Sequence, residues 1–170
     1  MSIERFIRNV DGFPKKGIQF KDITPLLANA QATEECLQRM IDLLGDEKVD
    51  KVVAIEARGF FFGILLAQRL NAGFVPIRKP GKLPFKTLKE TYNLEYGTDT
   101  LEIHQDAIKE GEIVLLHDDV LATGGTARAA CNLVERLGGK IIQFNFILEI
   151  ESLKGIQKIE GYPVRSLLKF

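Results

Sequence analysis

The segment 113–126 combines two residue types that could hold a phosphorylated sugar. It reads IVLLHDDVLATGGT: an apolar run ends at Asp118 and Asp119, two apolar residues follow, and a turn of small residues occupies 122–126. Glycine lets neighbouring backbone N–H groups converge, and the N-terminus of a following helix adds unpaired donors and a partial positive charge. The pattern predicts a strand, a phosphate-binding loop and the start of a helix.

The two acids suit hydroxyl groups. Successive side chains of an extended strand point to opposite faces, so we expect Asp118 and Asp119 to make separate contacts rather than to grip one metal ion. Carboxylates accept hydrogen bonds well from vicinal hydroxyls, and a ribose with a 5′-phosphate would engage both the acids and the loop. The alternative is a polar strand end followed by an ordinary glycine turn. The loop has neither the GxxxxGK[ST] nor the GxGxxG pattern.

Basic residues follow two other apolar runs. The stretch 56–59 reads EARG, and an arginine at a helix start opposes the helix dipole, so a bound anion would compensate Arg58. Arg78, Lys79 and Lys82 follow the next run. These cations match the charge of a diphosphate group, whereas the alternative for each is a solvated surface side chain.

Alternating strands and helices must position these residues. Apolar runs predict strands at 51–56, 74–77, 113–116, 141–148 and 164–168. Helical spacing predicts helices at 33–44, 59–70 and 127–137, the first of them capped by Thr33. This order predicts a single α/β domain with a mainly parallel sheet and helices on both faces, whose polar loops meet at the carboxyl edge. The Pro- and Gly-containing stretch 79–99 is expected to be a long irregular loop.

Composition excludes several classes of protein. The chain has 170 residues with 23 basic and 23 acidic side chains, which argues against a general nucleic-acid binder. Its two cysteines, Cys36 and Cys131, fall in helical stretches and are expected to be buried thiols rather than a disulfide or a zinc site. Neither a signal peptide nor an apolar run of membrane-spanning length is visible, so we expect a cytoplasmic protein without a membrane partner.

Four stretches of the sequence resemble one enzyme family. The stretch 118–126 resembles the motif by which type I phosphoribosyltransferases bind 5-phosphoribosyl 1-diphosphate (PRPP). YNLEYG at 92–97 and the N-terminal stretches DGFP at 11–14 and GIQFKDITP at 17–25 are similar to members of the family that act on adenine. The resemblance runs from about residue 13 to about residue 153, nearly the whole chain.

The resemblance implies a fold and a reaction. The fold would be the single-domain type I phosphoribosyltransferase fold, with a base-binding hood at about 1–30 and a catalytic lid at about 79–99. The activity would be that of a purine salvage glycosyltransferase, which converts adenine and PRPP to AMP and diphosphate. It implies Mg²⁺ as cofactor, held mainly by PRPP and diphosphate without direct protein ligands. It also implies a homodimer, for which apolar surface around 60–62 could serve.

The resemblance assigns residues to PRPP. Asp118 and Asp119 would hold the ribose hydroxyls. The 5′-phosphate would be bound by the five residues of the loop, which are Ala122, Thr123, Gly124, Gly125 and Thr126. The diphosphate would be bound by four cationic side chains, which are Arg58, Arg78, Lys79 and Lys82. A cis peptide is implied at Glu56–Ala57.

A second set of roles concerns the base. Glu95 would take the purine proton, and Tyr96 would pack the closed lid, which excludes water from the reacting centre. Phe20 and Val120 would stack on the two faces of adenine, and backbone groups near Gln19 and Lys21 would read its edge. On spacing alone, a core aromatic is the better interpretation of Phe20, and a solvated loop acid is the better interpretation of Glu95.

Two departures from the family pattern stand out. His117 occupies a position that is usually apolar; it is either a core residue or a group that tunes the acids, and we favour the first interpretation. Gly12 lengthens the start of the hood. Two rival functions remain: a phosphoribosyltransferase for another base, such as hypoxanthine, xanthine or orotate, and a regulator that senses PRPP.

Overall fold

The computed structural model describes residues 2–170. These residues form two compact units that divide between Leu43 and Leu44. No helix within the described residues is long and apolar enough to cross a membrane.

The N-terminal unit opens with a 3-10 turn, Ile3–Phe6, and a hairpin. Strand β1 (Arg8–Asp11) pairs antiparallel with β2 (Gln19–Asp22), and helix α1 (Thr24–Leu27) follows. Both strands lie in the segment that resembles a hood, where apolar periodicity had predicted no strand. Phe13 packs edge-on against Phe20, with ring centroids 5.1 Å apart.

Helix α2 (Ala30–Leu44) begins earlier than predicted. Asn29 caps it, because its Oδ1 accepts the backbone N–H of Ala32 at 2.9 Å. Thr33, the predicted cap, instead donates its hydroxyl to the carbonyl of Leu26. The predicted end is confirmed, since Gly45 has φ 69°, a conformation that glycine adopts without strain.

The larger unit is built on a five-stranded parallel sheet, as predicted. The strands are β3 (Lys51–Ile55), β4 (Gly73–Ile77), β7 (Ile113–Leu121), β8 (Lys140–Glu149) and β9 (Val164–Lys169). Their order across the sheet is β4-β3-β7-β8-β9, and every neighbouring pair is parallel. Helix α3 (Gly59–Arg69) connects β3 to β4, and α4 (Gly125–Arg136) connects β7 to β8.

This strand order creates a crevice at the carboxyl edge. The β3–β4 connection steps along the sheet in the opposite direction to the β7–β8 connection, so right-handed crossovers put α3 and α4 on opposite faces. Ligands of such sheets bind where the direction reverses, which is here between β3 and β7. The predicted meeting point of the polar loops therefore coincides with the topological switch.

The stretch 79–99 is not the irregular loop that was predicted. Strands β5 (Thr87–Asn93) and β6 (Thr98–His104) form an antiparallel ribbon, closed by a turn at residues 94–97. Its Pro and Gly residues lie before the ribbon or, as Gly97 with φ 83°, in the turn. Leu101 and Ile103 are completely buried, so packing against the core of the unit stabilises strands that local composition disfavoured.

Strand β7 continues past the acids. Its pairing with β8 extends to Val120 and Leu121, whereas the sequence predicted an end at residue 116. Asp118 and Asp119 are therefore held within the sheet rather than in a loop. Cys36 and Cys131 are buried free thiols, as predicted, and burial raises the pKa of each to about 12.

Candidate functional site

The loops after β3, β4 and β7 meet through ion pairs. Arg58 Nε donates to Asp119 Oδ2 at 2.5 Å, which joins the loop after β3 to the end of β7. Lys82 Nζ lies 2.9 Å from Glu56 Oε2, which joins the segment after β4 to the loop after β3. The convergence that the strand order predicted is confirmed. We call this edge, with Glu56, Arg58, Arg78, Lys79, Lys82, Asp118 and Asp119, the rim.

Glu56 organises the cations after β4. Its carboxylate accepts the backbone N–H of Lys79 and the ammonium of Lys82, and Arg78 Nε lies 3.4 Å from Oε1. Burial alone would raise the pKa of Glu56, but the hydrogen bonds from Lys82 and Lys79 outweigh it and lower that pKa. The peptide between Glu56 and Ala57 is cis, as the resemblance implied. Sequence reasoning assigned no role to this side chain.

The two acids of β7 lie close together. Asp118 Oδ1 turns back to accept the backbone N–H of Asp119 at 2.9 Å, which brings its carboxyl group toward its neighbour. The expectation that the two side chains make separate contacts stays a prediction. Burial, and then the adjacent Asp119 carboxylate, hold the pKa of Asp118 well above its usual range. Asp119 is 4% exposed, and Arg58 compensates its charge.

Residues 122–126, which we call the phosphate loop after their predicted role, open α4 as predicted. Gly124 has φ 86° and directly precedes the helix without a side-chain cap, so it leaves the first backbone N–H groups of α4 to a ligand or solvent. The loop rests on Gly155, because a Cβ there would lie 2.2 Å from the carbonyl oxygen of Ala122. Thr126 Oγ1 is 2.9 Å from the hydroxyl of Tyr92, and Thr123 is exposed.

The ribbon adjoins the phosphate loop. A Cβ on Gly125 would lie 3.2 Å from the Tyr92 ring and 4.0 Å from the carbonyl oxygen of Asn93. Glu95 and Tyr96 are exposed in the turn beyond Asn93. No hydrogen bond or ion pair among residues 2–170 joins Glu95 to the rim. The structure therefore places the end of β5, just before this turn, beside the phosphate loop, and the Glu95 carboxylate is not engaged.

Each of the four predicted diphosphate-binding cations has an acidic neighbour. Arg58 pairs with Asp119, Arg78 and Lys82 lie against Glu56, and Lys79 Nζ donates to Asp99 of the ribbon. Sequence reasoning missed Asp99, Glu56 and Gly155. Only Glu56 carried a signal, since it precedes a helix start and shares the EARG stretch with Arg58.

His117 is a core residue, as we favoured. It is completely buried, and its Nδ1 lies 2.8 Å from Asn145 Oδ1. Burial lowers the pKa of His117 to about 4, although Asn145 and the nearby Asp119 act in the opposite direction. The ring is therefore neutral at physiological pH. Within the described part of the chain, Nε2 has no hydrogen-bond partner, so the ring is only partly satisfied.

The residues expected to bind the base lie in both units. Gln19, Phe20 and Lys21 belong to β2, where Gln19 Nε2 donates to Asp11 and Lys21 Nζ donates to Asn9. Val120 is a half-buried residue of β7. Residues 2–170 contain no group of three or more His, Cys, Asp or Glu side chains arranged to hold a metal ion.

Comparison with known proteins shows the family to which this chain belongs. The profile of the phosphoribosyl transferase domain matches residues 19–167. The adenine phosphoribosyltransferase of Flavobacterium johnsoniae is 60% identical over 170 residues, which cover 100% of each chain. The crystal structure of the Thermoanaerobacter pseudethanolicus adenine phosphoribosyltransferase matches with a TM-score of 0.96 at 52% identity, covering 99% of this chain and 98% of that one. That of Saccharomyces cerevisiae, complexed with an iminoaltritol bisphosphate and adenine, has a TM-score of 0.91 at 40% identity, covering 98% and 96%.

Proposed function

The chain belongs to the phosphoribosyl transferase domain family, and within it to the adenine phosphoribosyltransferases, and from that premise we propose how it converts adenine and PRPP to AMP and diphosphate. The observation that carries the assignment of roles is the rim. The acids of β7, the phosphate loop and four cations lie at one switch point of the sheet.

PRPP spans the rim in this proposal. The phosphate loop binds the 5′-phosphate through the N–H groups that begin α4, and Asp118 and Asp119 bind the ribose hydroxyls. A carboxyl group whose pKa is raised, as that of Asp118 is, takes up a proton more readily and can then donate as well as accept a hydrogen bond. The ion pair with Arg58, whose side chain is 46% exposed, fixes the direction of the buried Asp119 carboxylate.

The reaction exchanges one bond for another at C1 of the ribose. The bond from C1 to the diphosphate oxygen breaks, the diphosphate keeps the electron pair, and a ring nitrogen of adenine bonds to C1 and loses its proton. The rim cations Arg58, Arg78, Lys79 and Lys82 stabilise the charge on the diphosphate. Most of the rate enhancement then comes from positioning and electrostatics.

Glu95 is proposed to accept the proton of the purine. The end of β5 adjoins the phosphate loop at Gly125, so a movement of the turn that follows it would bring the Glu95 carboxylate toward C1. Tyr96, which is 84% exposed, offers a large apolar surface to pack when the turn closes. The lid proposed for residues 79–99 would therefore act through movement of the ribbon and of the turn at its tip.

Base recognition is proposed for the hood residues. Backbone groups near Gln19 and Lys21 would read the edge of adenine, with Phe20 and Val120 against its faces. A backbone carbonyl accepts from the exocyclic amine of adenine but repels the oxo group of hypoxanthine, and a buried mismatch of this kind discriminates strongly. These assignments rest on the resemblance of the N-terminal motifs.

Mg²⁺ is proposed as the cofactor. The rim offers hard carboxylate oxygens that suit Mg²⁺, but Glu56 and Asp119 are each engaged by cationic side chains. The ion would therefore be held mainly by oxygens of PRPP and diphosphate, where it screens the charge of the leaving group. Chelation by EDTA should abolish AMP formation, and added Mg²⁺ should restore it.

A homodimer is also proposed. On α3, Phe62 is completely buried, whereas Phe61 and Ile64 are 47% and 51% exposed, so an apolar strip faces outward. A second copy of the chain would cover it. Light scattering coupled to size-exclusion chromatography tests this, and a monomer at assay concentrations would refute it.

The first experiment is AMP formation from adenine, PRPP and Mg²⁺ with wild type and two variants. Glu95→Gln keeps the size of the side chain but removes the base, so kcat should fall by about 100-fold or more. Asp119→Asn should raise the KM for PRPP and lower kcat. Asp106→Asn is the matched control, because it makes the same charge change at an exposed acid beyond the end of β6.

The outcomes separate the rival functions. Turnover of hypoxanthine equal to that of adenine would overturn the assignment of the base. Retained PRPP binding without AMP formation would favour a sensor or another base. Unchanged kcat in Glu95→Gln would remove Glu95 from proton transfer.

A further inference from the structure

An acid of the ribbon holds one of the rim cations. Lys79 Nζ donates a hydrogen bond to Asp99 Oδ2 on β6, while its backbone N–H donates to Glu56 Oε1. The side chains of Lys79 and Asp99 are 40% and 30% exposed, so both remain within reach of a ligand at the rim. Lys79 is therefore shared between the rim and the ribbon.

Asp99 also connects to the phosphate loop. Tyr92 lies directly opposite Asp99 in the ribbon, and its hydroxyl is 3.3 Å from Asp99 Oδ2. The same hydroxyl is 2.9 Å from Thr126 Oγ1. A continuous chain of hydrogen bonds, Lys79–Asp99–Tyr92–Thr126, thus runs through the ribbon and links a diphosphate-binding cation to the loop for the 5′-phosphate.

The contact between Lys79 and Asp99 in this chain of hydrogen bonds is an ion pair. The hydrogen bond from Lys79 is the main reason that the pKa of Asp99 lies below its usual range. Burial alone would lower the pKa of Lys79, but the hydrogen bond to Asp99 and the nearby acidic groups raise it instead. Both groups are charged at neutral pH, and an incoming phosphate anion competes for the same ammonium group.

On the basis of the proposed function, we propose that Asp99 is a positioning residue that binds Lys79 in competition with the diphosphate of PRPP. When diphosphate oxygens reach Lys79, Asp99 gives up the ammonium group. The ribbon thereby loses its ionic contact with the rim, and the turn that carries Glu95 gains freedom to move.

Electrostatic repulsion favours transfer of the Lys79 ammonium group from Asp99 to the diphosphate over simultaneous binding to both. An ammonium group has three N–H donors and could in principle serve two acceptors. A diphosphate carries several negative charges, however, and the Asp99 carboxylate beside it would be repelled by each of them. Asp99 therefore weakens PRPP binding relative to a neutral side chain at the same position.

The test is Asp99→Asn, which keeps the size of the side chain and an oxygen that can accept the backbone N–H of Thr100. Isothermal titration with inorganic diphosphate and Mg²⁺ should show a Kd lowered by about two- to fivefold, the range for one partly exposed ion pair. The KM for PRPP should fall by a similar factor, while kcat does not rise, because tighter binding slows diphosphate release. Asp99→Ser serves as a second variant with the same expected direction.

Two controls isolate the competition. In a Lys79→Met background, Asp99→Asn should lower the Kd for diphosphate by a smaller factor than in the wild-type background, because the competition for Lys79 is gone and only the direct repulsion by Asp99 is relieved. Asp106→Asn, the same charge change beyond the far end of β6, should leave Kd and KM unchanged. A purely structural role of Asp99 would raise the KM and would persist without Lys79.

Unchanged or weaker diphosphate binding in both Asp99 variants would overturn the proposal for Asp99. The proposed function would still stand in that case, provided that the wild type forms AMP. An Asp99→Asn effect of the same size in the Lys79→Met background would also overturn it. A wild type that binds neither diphosphate nor PRPP would overturn both.

Discussion

The phosphate loop depends on a glycine far from it in sequence. Gly155 approaches the loop so closely that a Cβ would lie 2.2 Å from the carbonyl oxygen of Ala122 and 3.0 Å from the backbone N of Gly124. Both contacts are backbone atoms, which cannot rotate away as a side chain can. Gly155→Ala should therefore displace residues 122–126.

The size of the displacement follows from the contact. A methyl carbon and a carbonyl oxygen separate to ordinary contact only if the loop retreats by about 1 Å. A misplacement of that size in a substrate-positioning group can cost about 100-fold in rate. We expect Gly155→Ala to lower kcat/KM for PRPP by about that factor. The overpacking should destabilise the protein by only about 1–3 kcal/mol.

Steady-state kinetics with varied PRPP, alongside urea unfolding, measures both effects. Gly161→Ala is the matched control: Gly161 has φ 93°, so alanine there is strained, but no atom lies within 4 Å of its Cβ position. The control should lose stability and keep kcat/KM. Wild-type kinetics in Gly155→Ala, or an equal kinetic loss in Gly161→Ala, would refute the reasoning.

Two further predictions concern buried titratable groups. The pKa of Asp118 is raised in the folded state, so stability falls as pH rises above its ordinary value of 3.8. Asp118→Asn should therefore stabilise the protein at pH 7, by on the order of 1 kcal/mol in urea unfolding, while reducing activity; a destabilised variant would contradict this. The pKa of His117 is lowered to about 4 in the folded state. The stability that the buried neutral ring contributes is therefore fully present above pH 6.5 and is lost as pH falls toward 4. Between pH 6.5 and pH 5 the free energy of unfolding of wild type should fall by about 2 kcal/mol more than that of His117→Gln. Equal losses in the two proteins would show that the ring does not titrate as its burial requires.

Local sequence patterns were sufficient to predict the parts of this protein that are contiguous in sequence. The apolar run, the acids and the glycine turn at 113–126 predicted the β7–loop–α4 unit, and the strand–helix alternation predicted the parallel sheet. These features depend on residues close in sequence, whose periodicity and backbone freedom act locally. The boundaries were less secure: β7 runs on to Leu121 because pairing with β8 continues past the acids.

The ribbon at 87–104 shows where local information ends. Its Gly and Pro content suggested an irregular loop, yet Leu101 and Ile103 are completely buried. The free energy that stabilises the ribbon comes from packing against residues distant in sequence. Composition within a window cannot report such burial.

What the sequence by itself determined is the order of the parallel strands and of the helices between them, the glycine-rich loop at a helix start, the cations that follow β3 and β4, and the buried thiols. The tertiary structure alone decided which charges meet. Arg58 and Asp119 are 61 residues apart in sequence, and Lys79 and Asp99 are 20 apart. It also decided that Gly155 supports the loop and that Asp118 turns toward Asp119. The physical reason is that ion pairing, close backbone approach and desolvation depend on distances in space, and only the folded chain sets those distances.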